Sequence, residues 1–148
     1  MAPLSTSIEV ARPPEEVFAY VTDPSRFAEW QANVVDGHME GEPPHGVGQR
    51  CLTTRRIGFA ERPVTSEITH LDAPRTWGVR AIDGPVRATV DVAVEPLDER
   101  RTARVRIELD FTGHGIGKLL VPLIVRRQAK SEMPANLQRL KERLEVPK

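Results

Sequence analysis

Cysteine and tyrosine each occur once in 148 residues, and tryptophan only twice. The lone Cys51 excludes an internal disulfide and any zinc cage of several thiolates, a pattern that suits a reducing cytosol. No apolar run approaches the roughly 20 residues of a membrane-spanning helix, and residues 1–10 lack the basic start and apolar stretch of an export signal. A soluble, unexported, cytoplasmic protein without stable membrane insertion is expected. Net charge is missing too: Lys plus Arg and Asp plus Glu both number 21, so no whole-molecule field draws the chain to nucleic acid or to acidic membranes. The aromatics Phe18, Tyr20, Phe27, Trp30, Phe59, Trp77 and Phe111 are not interleaved with a basic face, as they are in proteins that bind single-stranded nucleic acid. No nucleic-acid partner is expected.

Recognisable chemical motifs are equally scarce. His38, His45, His70 and His114 show no HxH or HxxxH spacing, so no metal site is assigned. There is no G-x-S-x-G, and "GHGIGK" (residues 113–118) lacks the context of a dinucleotide fingerprint, so no cofactor is implied. Its glycines ease a strand into a helix; the alternative is that backbone N–H groups there, beside His114, hold an anionic group.

What the chain does contain is periodicity. Residues 4–10 alternate, with Thr6, Ile8 and Val10 on one side, as a half-buried strand does. Pro13 and Pro14 suit a first helical turn, and Val17, Phe18 and Val21 recur at helical spacing. Asp23 caps a second short helix beginning at Pro24, and Phe27 and Trp30 share one of its faces. Period two then holds to about Thr112. It gives strands over 35–40, 49–59 and 63–71, the last two as a hairpin, then 75–82, an Asp83-Gly84 turn, 86–95 and 103–111. After the glycines, Leu119, Leu120, Leu123, Ile124, Met133, Leu137, Leu140 and Leu144 mark a long C-terminal helix. Pro134 lies inside it and is expected to kink or break it, at about 3 kcal/mol.

This order predicts one α+β domain over residues 1–148: a curved antiparallel sheet of about seven strands wrapped around a long helix, β-α-α-β6-α. A helix covering only part of a concave sheet leaves a space for an apolar ligand. The phrases "PPEEVFAYVTDPSRFAEWQANV" (13–34), "GVGQR" (46–50), "VTSEITHLDAPRTWGVR" (64–80) and "DFTGHGIGKLLVPLI" (110–124) resemble the START-like, or SRPBCC, superfamily, and in particular its polyketide cyclase/dehydrase and lipid-transport branch. The resemblance implies the helix-grip fold. It carries over no catalytic residue, because that superfamily includes binders, transfer proteins, cyclases and hydrolases.

Candidate residues follow from which faces point inward. Trp30 and Trp77 are expected to line the space, with Val90, Phe111 and Leu123 as apolar wall. Ser66 and His70 share a strand face but stand roughly 13 Å apart, too far for a nucleophile and its base, so they read as two polar points on the wall. Strand 49–59 has no wholly apolar face. If Cys51, Thr53 and Arg55 face inward, Arg55 needs a carboxylate from protein or ligand; otherwise Arg55 and Arg56 solvate an edge strand. Arg126, Arg127 and Lys130 form a basic patch on the last helix. Three functions remain: a carrier of a hydrophobic or aromatic small molecule, favoured for want of inward acid–base pairs; a polyketide cyclase/dehydrase-type enzyme; and a protein-binding adaptor. An inward carboxylate beside His70 would favour the enzyme, and a helix packed flat with no cavity above roughly 300 Å³ would overturn the ligand-binding reading. Oligomeric state is open, a homodimer included.

Overall fold

The computed structural model describes residues 3–57 and 59–146. The order is β1 (Leu4–Val10), α1 (Pro14–Val21), a 3₁₀ helix (Pro24–Glu29), β2 (Val34–Met39), β3 (Arg50–Ile57), β4 (Ala60–Asp72), β5 (Thr76–Ala81), β6 (Val86–Leu97) and β7 (Thr102–Gly113), with a three-residue 3₁₀ turn (Asp98–Arg100) between the last two. The C-terminal helix follows as α2 (Gly117–Leu120), a π-helical stretch (Val121–Val125) and α3 (Arg126–Leu144). The strands form one antiparallel curled sheet in the order β1-β7-β6-β5-β4-β3-β2.

That order explains why the first helical segment is broken. β1 and β2 are the two edges of the sheet, so the chain between them must cross its full width. α1 lies against β6 and β7, and the 3₁₀ helix lies against β2. The corner is made by Asp23, whose Oδ1 accepts hydrogen bonds from the Ser25 backbone N–H at 3.0 Å and from its hydroxyl at 2.7 Å. Thr22 closes α1 by donating its hydroxyl to Phe18 O at 2.8 Å. The second short helix is 3₁₀ and not α, and it sits tightly on β2. A Cβ at Gly37 would stand 2.7 Å from Pro24 O, so only glycine lets the two backbones approach.

The core lies between the concave face and α3. Val10, Val17, Val21, Ile68, Val105, Leu137 and Leu140 are all buried there. The helix is held along its length. Gln128 Nε2 donates to Arg56 O at 3.0 Å, Asn136 Oδ1 accepts from Ala32 N at 3.1 Å, and Arg12 Nε donates to Leu144 O at 2.7 Å.

The expected break at Pro134 does not occur: α3 runs through it, and Pro134 is exposed. The irregularity lies earlier, where Arg126 N–H donates to Val121 O across five residues, next to Pro122, which has no N–H to give.

Candidate functional site

A cavity of about 140 Å³ separates the sheet from the helix. Its sheet side is built by the period-two rule, from Trp77, Val79 and Ala81 on β5, Val86, Ala88, Val90 and Val92 on β6, and Ile107, Leu109 and Phe111 on β7. Val125, Ala129, Met133 and Leu137, spaced by four, form the helix side. Polar groups collect at one end: Gln31, Asn33 and Arg55, with Gln128, Glu132 and Asn136 on the neighbouring stripe of α3. The volume is below the roughly 300 Å³ of an ordinary small-molecule site. It is close to the roughly 150 Å³ of an engineered cavity that takes up benzene, so this conformation has room for about one aromatic ring.

Phe27 joins the two tryptophans. Its ring meets Trp30 edge-on at 6.0 Å between centroids and Trp77 at 6.3 Å, and all three border the cavity. Trp30 Nε1 is buried with no hydrogen-bond partner among the described residues.

Arg55 and Arg56 are the charged groups on the sheet side of the polar end, and of the two Arg56 meets Glu61 at 3.5 Å. Arg55 is held differently. Its Nε donates to Thr53 Oγ1 at 3.3 Å, and its Nη1 to Gln31 Oε1 at 3.1 Å and Asn33 Oδ1 at 3.3 Å. Among the described residues no carboxylate lies within 4 Å of it. Burial holds this guanidinium below the usual arginine range, with Cys51 opposing more weakly. The ambiguity of β3 is thereby resolved: Cys51 and Thr53 are buried and Arg55 is half-buried on the cavity wall, while Arg56 is exposed at the cavity's border and pairs with Glu61.

Of the sequence-derived candidates, Trp30, Arg55, Ser66, Trp77, Val90 and Phe111 border the cavity. Thr53, Leu123 and His70 do not. Thr53 is buried beneath Arg55, where its hydroxyl accepts a bond from that side chain. Leu123 is 61% exposed, because it lies in the π-helical stretch on the side away from Val121 and Val125, which are buried. His70 is turned away by a bulge between Ile68 and His70, which puts Leu71 inward in its place, opposite Trp77. His70 lies instead on the outer face, 2.7 Å from Asp91. The carboxylate that would have favoured catalysis is beside His70, but outside the cavity.

His114 is exposed at the turn before α2, and neither it nor its neighbours border the cavity. In the basic patch, Arg126 is only 17% exposed and stands 3.9 Å from Asp110, while Arg127 and Lys130 face solvent. Gln31, Asn33, Gln128, Glu132 and Asn136 were not anticipated. The last three recur every four residues beside the apolar stripe, a signal present in the sequence. Among the described residues no helix is long and apolar enough to cross a membrane, and no group of three or more His, Cys, Asp or Glu is placed to hold a metal ion.

A family profile described as polyketide cyclase / dehydrase and lipid transport matches residues 1–145. No curated protein matches the chain. Among solved structures, a START superfamily protein from Mycobacterium smegmatis is 13% identical, with a TM-score of 0.78 over 98% of each chain. The Zhui aromatase/cyclase from Streptomyces sp. R1128 is 15% identical, with a TM-score of 0.74 over 97% of this chain and 96% of that one. The di-domain ARO/CYC BexL from the BE-7585A biosynthetic pathway is 19% identical, with a TM-score of 0.74; 99% of this chain covers 47% of that one, about half its length. At these identities the likeness speaks for the helix-grip architecture, which the curled sheet and long C-terminal helix display directly. The match across residues 1–145 places the chain in the polyketide cyclase/dehydrase and lipid-transport family.

Proposed function

We propose that this chain, acting as one domain over residues 1–148, binds and carries a small hydrophobic or aromatic molecule, lipid- or polyketide-like in character, in the cytoplasm. The observation that carries this reading is the cavity itself, with mainly apolar walls from three strands and one helix face and most of its polar groups gathered near Arg55. Zero net charge agrees with a small-molecule partner and not with nucleic acid.

Glu132 gives a second reading its support. It is the carboxylate that borders the cavity, and in a cyclase/dehydrase-type enzyme it would move a proton beside a ligand carbonyl. Carriage is preferred because, among the described residues, no histidine borders the cavity to work with it.

Native mass spectrometry of protein purified from its own host tests the proposal, together with titration of single-ring aromatics followed by the fluorescence of Trp30 and Trp77. A co-purifying apolar molecule, or saturable quenching, is expected. Absence of both would overturn it. Turnover of a bound ligand, lost on Glu132→Gln, would replace carriage with catalysis.

A further inference from the structure

We propose that the ligand is a carboxylate, its anionic end received by the Arg55 guanidinium and its ring-sized apolar body lying against the sheet. The inference rests on the binding reading above and specifies its ligand class.

The argument begins with what Arg55 lacks. Elsewhere on this chain exposed arginines find acids readily: Arg75 meets Asp72 at 2.7 Å and Arg104 meets Glu9 at 3.0 Å, where pairing contributes little. Arg55 on the cavity wall, where an unneutralised charge is costly, has only neutral oxygens among the described residues. Those contacts, at 3.1–3.3 Å, are longer than the 2.7–2.9 Å usual between a guanidinium and a carboxylate. They engage Nε and Nη1 and leave Nη2 without a hydrogen bond among the described residues. Thr53, Gln31 and Asn33 therefore hold the fork in place without neutralising it.

Glu132 on α3 borders the same cavity but, among the described residues, makes no ion pair with Arg55, so the guanidinium has no acid in contact. Beyond it the space is mainly apolar and fits about one ring, with Trp30 Nε1, unpartnered among the described residues, on its border as a further donor. A molecule with a planar anionic head and a compact apolar body complements Arg55 and the apolar face beside it. A guanidinium fork matches a carboxylate in shape as well as charge.

The test compares benzoate with benzamide, which has the same shape without the charge, by calorimetric titration at neutral pH. Benzoate is expected to bind about tenfold more tightly or better, the effect of one charge-assisted hydrogen bond. In Arg55→Gln the preference is expected to vanish, with benzoate losing far more affinity than benzamide. Equal affinities in the parent protein, or a preference that survives Arg55→Gln, would overturn the proposal and leave the carrier reading standing. Binding of neither probe would count against both. Should Arg55→Gln fail to fold, Arg55→Met and Arg55→Lys provide the comparison, with the preference lost in the first and retained in the second. Arg55→Met should also raise the melting temperature of the empty protein, whereas a purely structural arginine would lower it.

Discussion

His70 on β4 donates its Nε2–H to Asp91 Oδ1 on β6 at 2.7 Å, reaching across the intervening strand above Gly78. The bond exists because Gly78 has no side chain: a Cβ there would stand 2.2 Å from His70 Nε2 and 2.9 Å from Asp91 Oδ1. Gly78→Ala is expected to cost about 1–2 kcal/mol through overpacking. The pair itself, half exposed, contributes at most about 1 kcal/mol. In urea denaturation, His70→Ala combined with Gly78→Ala should recover most of the loss; strictly additive effects would contradict the arrangement. Because His70 faces outward, His70→Ala alone should leave ligand affinity unchanged.

Trp30 is 4% exposed, and its edge-on contact with Phe27 also fixes Trp77. Truncation to alanine should cost about 3–5 kcal/mol by opening the core at the cavity end. Chemical denaturation measures this directly. A Trp30→Ala protein as stable as its parent but unable to take up ligand would make Trp30 a ligand contact and nothing more.

The turn from β6 to β7 places three consecutive non-glycine residues at positive φ: Asp98 at 48°, Glu99 at 53° and Arg100 at 67°. Each such residue carries a steric cost of about 1–2 kcal/mol that glycine avoids. Glu99→Gly should raise stability by up to about 1 kcal/mol, after the greater freedom of glycine in the unfolded chain is subtracted. A melting temperature unchanged or lowered would show that the turn relaxes without strain.

Cys51 is 2% exposed, and burial pushes its thiol from an ordinary 9.0 up to about 11, with Arg55 opposing. Iodoacetamide at pH 8 should label it slowly in native protein and fast in urea, as read by mass spectrometry. Substantial labelling of the folded protein would place the thiol at the surface.

Tyr20 behaves alike: burial first, then its hydrogen bond to Glu29, raises its hydroxyl from 10.0 to about 12. A raised folded-state pKa stabilises the fold fully below the unfolded value, and that contribution is lost as pH climbs toward the folded value. Melting temperature should therefore fall from about pH 9 toward pH 12. The fall should be shallower in Cys51→Ala and in Tyr20→Phe. At the acid end Arg26 lowers Glu29, and Lys141 lowers Glu145, so these two contributions fade as pH drops below 4.5.

Much of this architecture can be read locally. Alternation in residues 86–95 and 103–111 marks β6 and β7, and the Asp23-Pro24 pair marks the corner, because each depends on neighbours within a few residues. The site is only partly readable that way. Trp77, Val90 and Phe111 follow from alternation alone. Arg55 required the choice between two faces of a strand with no apolar side. His70 defeated simple counting, since one extra residue in a bulge reverses every side chain beyond it.

The sequence by itself determined the elements, their order and the fold family, since hydrophobic period, capping and turn chemistry are short-range. Tertiary structure alone decided the rest. Where the helix rests on the sheet sets the cavity at about 140 Å³, the β4 bulge removes His70 from it, and continuous packing carries α3 through Pro134. It also leaves Arg55 at the cavity wall without an acid, because the charge any group finds beside it depends on residues brought together from Gln31 to Asn136.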